Sequence, residues 1–125
     1  MAEQLLSGKG VLLIEDEMLL VMLIEDMLSD LGCTSIMVAG TVERAIDLIA
    51  DNRFDLATLD VNLDGARSIA VAEALSDRDI PFAFATGNDE HGFGKRFENR
   101  PVLNKPFSFD RFSEVLGQLL GDRAA

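Results

Sequence analysis

Five short apolar runs recur along the chain, "VLLIE", "SIMVA", "FDLATLD", "PFAFAT" and "PVLNK", and four of them lead into a longer segment of helical character. Continuous apolar runs of this kind belong to strands covered on both faces, and their alternation with helices predicts βα units and a parallel sheet. Pro81 and Pro101 stand at the start of the fourth and fifth runs, where a missing N–H does least harm to a strand.

The helical segments differ in pattern. Thr41 is placed to cap the second, in which Val42, Ala45, Ile46, Ile49 and Ala50 form one apolar stripe, leaving Asp47 and Asp51 to water. Ser108 is placed to cap the last, with Phe107 before the cap and Phe112 inside it as a hydrophobic staple, Val115, Leu116 and Leu119 continuing the stripe, and Gly121 closing it. In the first helix Met18 to Ile24 are all apolar and cannot all face one core, so it reads as packed on two sides with one or two apolar residues at the surface. Between Thr86 and Arg100 three glycines and no clean periodicity predict a short or irregular fourth helix. Phe82, Phe93 and Phe97 read as scattered, partly exposed aromatics, and Asp77 to Asp79 as a solvated helix end.

A length of 125 residues suits one domain, residues 1–125, with its core over about 9–120. The formal charge of -11, from 22 acidic against 11 basic residues, sets a repulsive field against phosphate backbones and argues against nucleic acid as a partner. The apolar runs are too short for a membrane span and the N-terminus has no signal-peptide pattern, so a cytoplasmic location with no membrane partner is expected. The single cysteine, Cys33, reads as a buried small hydrophobe in a reducing compartment.

Three acids end strands: Glu15 and Asp16 the first, Asp60 the third. In an open sheet of order 2-1-3-4-5 these two strands are neighbours at the switch point, so the carboxylates meet in one crevice. Crowded like charges raise one another's pKa unless a cation sits among them, and oxygen donors without histidine or thiolate suit Mg2+. The fourth and fifth runs end at Thr86 and Lys105, a hydroxyl and an ammonium able to neutralise the oxygens of a phosphoryl group in transfer. Asp60, following an apolar strand, reads as the least solvated of the acids, with metal and lysine keeping it ionised to attack.

The order acid pair, "LD", "AT", "KP" resembles the receiver domains of two-component response regulators over about residues 9–120. The resemblance implies an α/β, flavodoxin-like doubly wound five-stranded sheet that accepts a phosphoryl group from phosphohistidine. Asp60 matches the phosphoacceptor; Glu15 and Asp16, with the backbone carbonyl of Asn62, match the Mg2+ site; Thr86 and Lys105 match the phosphoryl-binding switch; and the Lys105–Pro106 bond would be cis. Leu19, Leu20, Met22 and Leu23 on the first helix would dock a sensor histidine kinase or a histidine phosphotransfer protein.

The pattern departs from the family at three places. Val102 stands where many receivers carry a switching aromatic, Asp64 where a proline is common, and Asp89 where the subgroup named for a Phe-Ala-Thr-Gly-any-Tyr motif has tyrosine. His91 reads as an ordinary solvated residue. With no length left for an output domain, the expected output is a protein contact, by relay, by acting as a phosphate sink or by binding a target, from a monomer or weak dimer. Slow self-phosphorylation from small donors and self-dephosphorylation are expected, without enzymatic turnover of a substrate. The alternatives are a metal-dependent small phosphohydrolase working through an aspartyl-phosphate, and a non-phosphorylated binding or dimerisation module.

Overall fold

The computed structural model describes residues 5–63, 66–87, 97 and 99–124, with side chains left undescribed at 66, 67 and 122–124. The elements run β1 (Gly10–Ile14), α1 (Met18–Asp30), β2 (Ser35–Ala39), α2 (Val42–Asp51), β3 (Leu56–Asp60), β4 (Asn62–Leu63), β5 (Ala66–Arg67), α3 (Ile69–Asp77), β6 (Phe82–Thr86), β7 (Val102–Asn104) and α4 (Phe109–Ala124). The fourth helix, Asp64, Asp89, His91 and Phe93 of the sequence reading lie outside the described residues.

Five strands form one parallel sheet in the order β2-β1-β3-β6-β7. The short strands β4 and β5 pair antiparallel in a separate hairpin. Chain numbering therefore differs in detail from 2-1-3-4-5, but among the five strands of the main sheet the order is that of the flavodoxin-like fold.

Side chains alternate between two cores, as the two-residue period of a strand requires. Leu12 and Ile14 of β1 join Leu48, Ile49, Val71 and Leu75 on the side of α2 and α3. Val11 and Leu13 join Ile24, Leu28, Phe112 and Leu116 on the side of α1 and α4. With both faces covered, every residue of β3 and of β6 is buried.

Several local expectations change once the helices are seated. In α2 the Thr41 hydroxyl accepts from Arg44 N at 3.1 Å, but the buried residues are Ala45, Leu48 and Ile49, while Ile46 and Ala50 are exposed. The buried face is the one that seats α2 against α3 and β2 in their shared core. In α4 Arg111 N donates to Ser108 Oγ at 3.1 Å and the Phe107 and Phe112 rings stack with centroids 5.7 Å apart. That helix runs through Gly121 to Ala124 instead of closing at the glycine. Leu6 is fully buried, with its N–H bonded to Leu31 O at 2.9 Å, so the core begins before residue 9.

Phe82 and Phe97 are buried, contrary to a reading of them as scattered surface aromatics, and with Phe84 they form an edge-to-face triad whose centroids lie 5.3 to 6.3 Å apart. Cys33 is buried as a small hydrophobe, and burial raises its pKa against the weaker pull of its hydrogen bonding with the Ser35 backbone. On α1, Met18, Leu19, Met22 and Leu23 are all exposed, more than one or two, whereas Leu20 is half-buried. Among the described residues no helix is long and apolar enough to cross a membrane.

Candidate functional site at the strand ends

The register of the sheet builds the site. Ile14 pairs with Leu59, so Glu15 and Asp60 leave β1 and β3 side by side. Asp60 pairs with Ala85 and Thr86 with Asn104, which steps Thr86 and then Lys105 one residue further along the same edge. Backbone bonds extend each strand past its last paired residue: Glu15 N to Ala39 O at 3.0 Å, Val61 N to Ala85 O at 3.0 Å, and Lys105 N to Thr86 O at 2.8 Å. Glu15, Asp60 and Lys105 are thus placed by the paired strand ends, with Asp16 one residue beyond Glu15.

Carboxylate oxygens of Glu15, Asp16 and Asp60 lie within 4.8 Å of one another, the one such group among the described residues. Lys105 Nζ donates to Glu15 Oε1 at 2.9 Å and to Asp60 Oδ1 at 3.3 Å. Asn62 N donates to Asp60 Oδ1 at 3.3 Å, and Glu17 N, at the head of α1, to Glu15 Oε2 at 3.2 Å. Thr86 is buried at the end of β6, Asp16 is exposed, and the Lys105–Pro106 bond is cis.

One expectation about the acids needs correction. Glu15, at 2% exposure, is less solvated than Asp60 at 7%, because both of its oxygens are engaged, one by Lys105 and the other by the amide at the start of α1. Lys105 alone offsets only part of what burial and the neighbouring charge do to the Asp60 carboxylate. Burial first, and then the Glu15 charge, push its pKa up to about 7, against the opposing pull of Lys105 and Asn62 N. For Lys105, burial pulls the pKa down, but the hydrogen bonds and charges of Glu15 and Asp60 outweigh it and the net shift is upward.

A donor set of clustered carboxylates that is short of positive charge fits a hard divalent ion such as Mg2+. Any such ion would be held by Glu15, Asp16 and Asp60.

Ser68, which the sequence reading passed over, also belongs here. Its buried hydroxyl lies 2.7 Å from Asp60 O and 2.9 Å from Val61 O. A serine before an apolar helix reads only as a cap, and nothing in the residue pattern says that it turns back to the strand.

The chain matches the model of the response regulator receiver domain over residues 11–116 and belongs to that family. The polar-differentiation response regulator DivK of Brucella anthropi is 31% identical, the match covering 91% of this chain and 98% of DivK. The solution structure of SdrG from Sphingomonas melonis Fr1 superposes with a TM-score of 0.80 at 45% identity, over 90% of this chain and 96% of SdrG. Its BeF3-activated conformation gives a TM-score of 0.77 at 44% identity, over 91% and 98% of the two chains. The phyllosphere-induced regulator PhyR of Methylorubrum extorquens is 33% identical over 88% of this chain, which spans 43% of that longer protein.

Proposed function

We propose that this receiver accepts a phosphoryl group from a phosphohistidine donor onto Asp60 and signals through protein contacts. The observation that carries the reading is the convergence of the Asp60 carboxylate with Lys105 Nζ at 3.3 Å and with two further acids, at the ends of adjacent strands. An Asp60 oxygen attacks phosphorus in line, the P–N bond breaks, and the imidazole leaves with the electron pair and takes up a proton. When bound, Mg2+ held by Glu15, Asp16, Asp60 and the Asn62 carbonyl supplies positive charge to the carboxylates and to the phosphoryl oxygens. Lys105 neutralises another phosphoryl oxygen, and the Thr86 hydroxyl donates to a third. The BeF3-activated form of SdrG supports a phosphoryl-responsive site on this framework.

The partner in this reading is a sensor histidine kinase or a histidine phosphotransfer protein. Leu19, Leu20 and Leu23 line, with Glu17, Lys105 and Pro106, an open hollow of about 320 Å³ that joins the apolar face of α1 to the phosphoryl-binding lysine. The chain acts as one cytoplasmic receiver domain and turns over no external substrate. A small phosphohydrolase is the weaker reading, since Asn62 offers an amide where such an enzyme would need a second acid.

The test is intact-mass spectrometry after incubation with acetyl phosphate or a phosphohistidine donor, with and without Mg2+. A single Mg2+-dependent phosphoryl adduct, absent in Asp60→Asn, is the expected result; no adduct from either donor would leave a binding module.

A further inference from the structure

Ser68 occupies the cap position of α3, yet its side chain makes no bond to that helix. A capping serine ordinarily turns its oxygen toward the unpaired amides of the first turn. Here the fully buried hydroxyl points back to the end of β3, 2.7 Å from Asp60 O and 2.9 Å from Val61 O, so its one proton is shared between two carbonyls. Ser68 N donates to Val61 O as well, at 3.2 Å.

These contacts grip two peptide units. A peptide unit is planar, so holding its carbonyl also orients the N–H on its far side. The unit that carries Asp60 O also carries Val61 N, which is bonded to Ala85 O at 3.0 Å. The unit that carries Val61 O also carries Asn62 N, which donates to Asp60 Oδ1 at 3.3 Å. Ser68 therefore sets the direction from which the backbone meets the carboxylate, and it stabilises the strand end in place of its own helix.

We infer that Ser68 is a positioning residue for phosphoryl acceptance: by holding the carbonyls of Asp60 and Val61 it aligns Asn62 N and the Asp60 carboxylate for in-line attack. This rests on the reading of Asp60 as phosphoacceptor.

The test compares wild type, Ser68→Ala, Ser68→Thr and the core variant Val71→Ala in acetyl phosphate labelling at saturating Mg2+, with urea midpoints measured alongside. Ser68→Ala should lower the maximal labelling rate about tenfold with little change in half-saturation, as misalignment of a reacting group does. Ser68→Thr, which keeps the hydroxyl, should recover most of the rate, and Val71→Ala should keep it despite lost stability. In ion-free protein the Asn62 amide resonance should shift in Ser68→Ala and stay in place in Val71→Ala. Should Ser68→Ala not fold, Ser68→Cys keeps the volume with a weak donor and carries the same expectation. A wild-type rate in the Ala or Cys variant, or a loss no larger than that of Val71→Ala, overturns the inference alone. No label on wild type overturns the phosphoacceptor reading and the inference with it.

Discussion

Lys105 Nζ lies 2.9 Å from Glu15 Oε1 and 3.3 Å from Asp60 Oδ1, so one ammonium is shared by two buried carboxylates that β1 and β3 place side by side. Its charge goes first to the closer and less exposed Glu15. For Asp60, burial first and then the Glu15 charge outweigh the contact, and its pKa rises to about 7 from 3.8.

The pH dependence of stability follows from that shift. A carboxyl with a raised folded pKa binds more protons folded than unfolded, so stability falls as pH rises from about 4 to about 7, at about 1.4 kcal/mol per unit at most. Lys105, raised from 10.5, adds its own loss only at alkaline pH. Urea unfolding of ion-free protein should give a lower midpoint at pH 7.5 than at pH 5, and Asp60→Asn should remove most of that difference. Added Mg2+ should restore the midpoint at pH 7.5, with less effect at pH 5, where protons compete for the ligands. A flat profile would mean that Asp60 titrates at an ordinary carboxylate pKa.

Replacing the shared cation tests the same balance. Lys105→Met keeps the apolar stem but leaves Glu15 and Asp60 without an ionic partner, at side-chain exposures of 2% and 9%. Breaking a buried pair in this way costs about 3 kcal/mol. Ion-free Lys105→Met should therefore unfold at markedly lower urea, and Mg2+ should rescue it by a larger margin than it rescues wild type. An unchanged midpoint would show that the pair is solvated in solution.

The acids, Thr86 and Lys105 were legible in the sequence because each stands at the end of an apolar strand or within two residues of it, and a doubly wound sheet collects such ends on one edge. What was not legible depends on how elements cross. Which of Ile46 and Leu48 is buried is set by how α2 seats against α3 and β2, and the order of exposure of Glu15 and Asp60 by contacts made only once the strands pair. Phe82 is buried because β6 is covered on both sides, as the continuous run "PFAFAT" already implies, whereas the buried Phe97 lies outside any such run. The turn of Ser68 away from its own helix leaves no trace in residue pattern at all.

Thr58 presents a buried hydroxyl with no hydrogen-bond partner among the described residues, two residues before Asp60 on β3. It pairs with Leu13 and Ala83, both in the core beneath α1 and α4, so its side chain lies among apolar groups. Removing an unsatisfied hydroxyl without changing shape recovers its desolvation cost, about 1 kcal/mol. Thr58→Val should raise the urea midpoint accordingly, with unchanged slope and an unchanged rate of labelling from acetyl phosphate. A fall in stability would place a hydrogen-bond partner at the hydroxyl.

The apolar face of α1 separates donor docking from chemistry. Leu19 is 78% exposed and Met22 and Leu23 are 55% and 46% exposed, so none contributes much to the core. Glutamine at these three positions keeps helix propensity and net charge, and stability should stay within about 0.5 kcal/mol of wild type. Labelling by acetyl phosphate, which needs no protein surface, should be unaffected. Transfer from a phosphorylated histidine phosphotransfer protein should slow by about tenfold or more, because removing even one central hot-spot contact of an interface costs about 2 kcal/mol. Equal rates from the protein donor in the folded triple variant would move the docking surface off this face, while parallel loss with both donors would mean that α1 acts through the Glu17 amide at its head, which is bonded to Glu15.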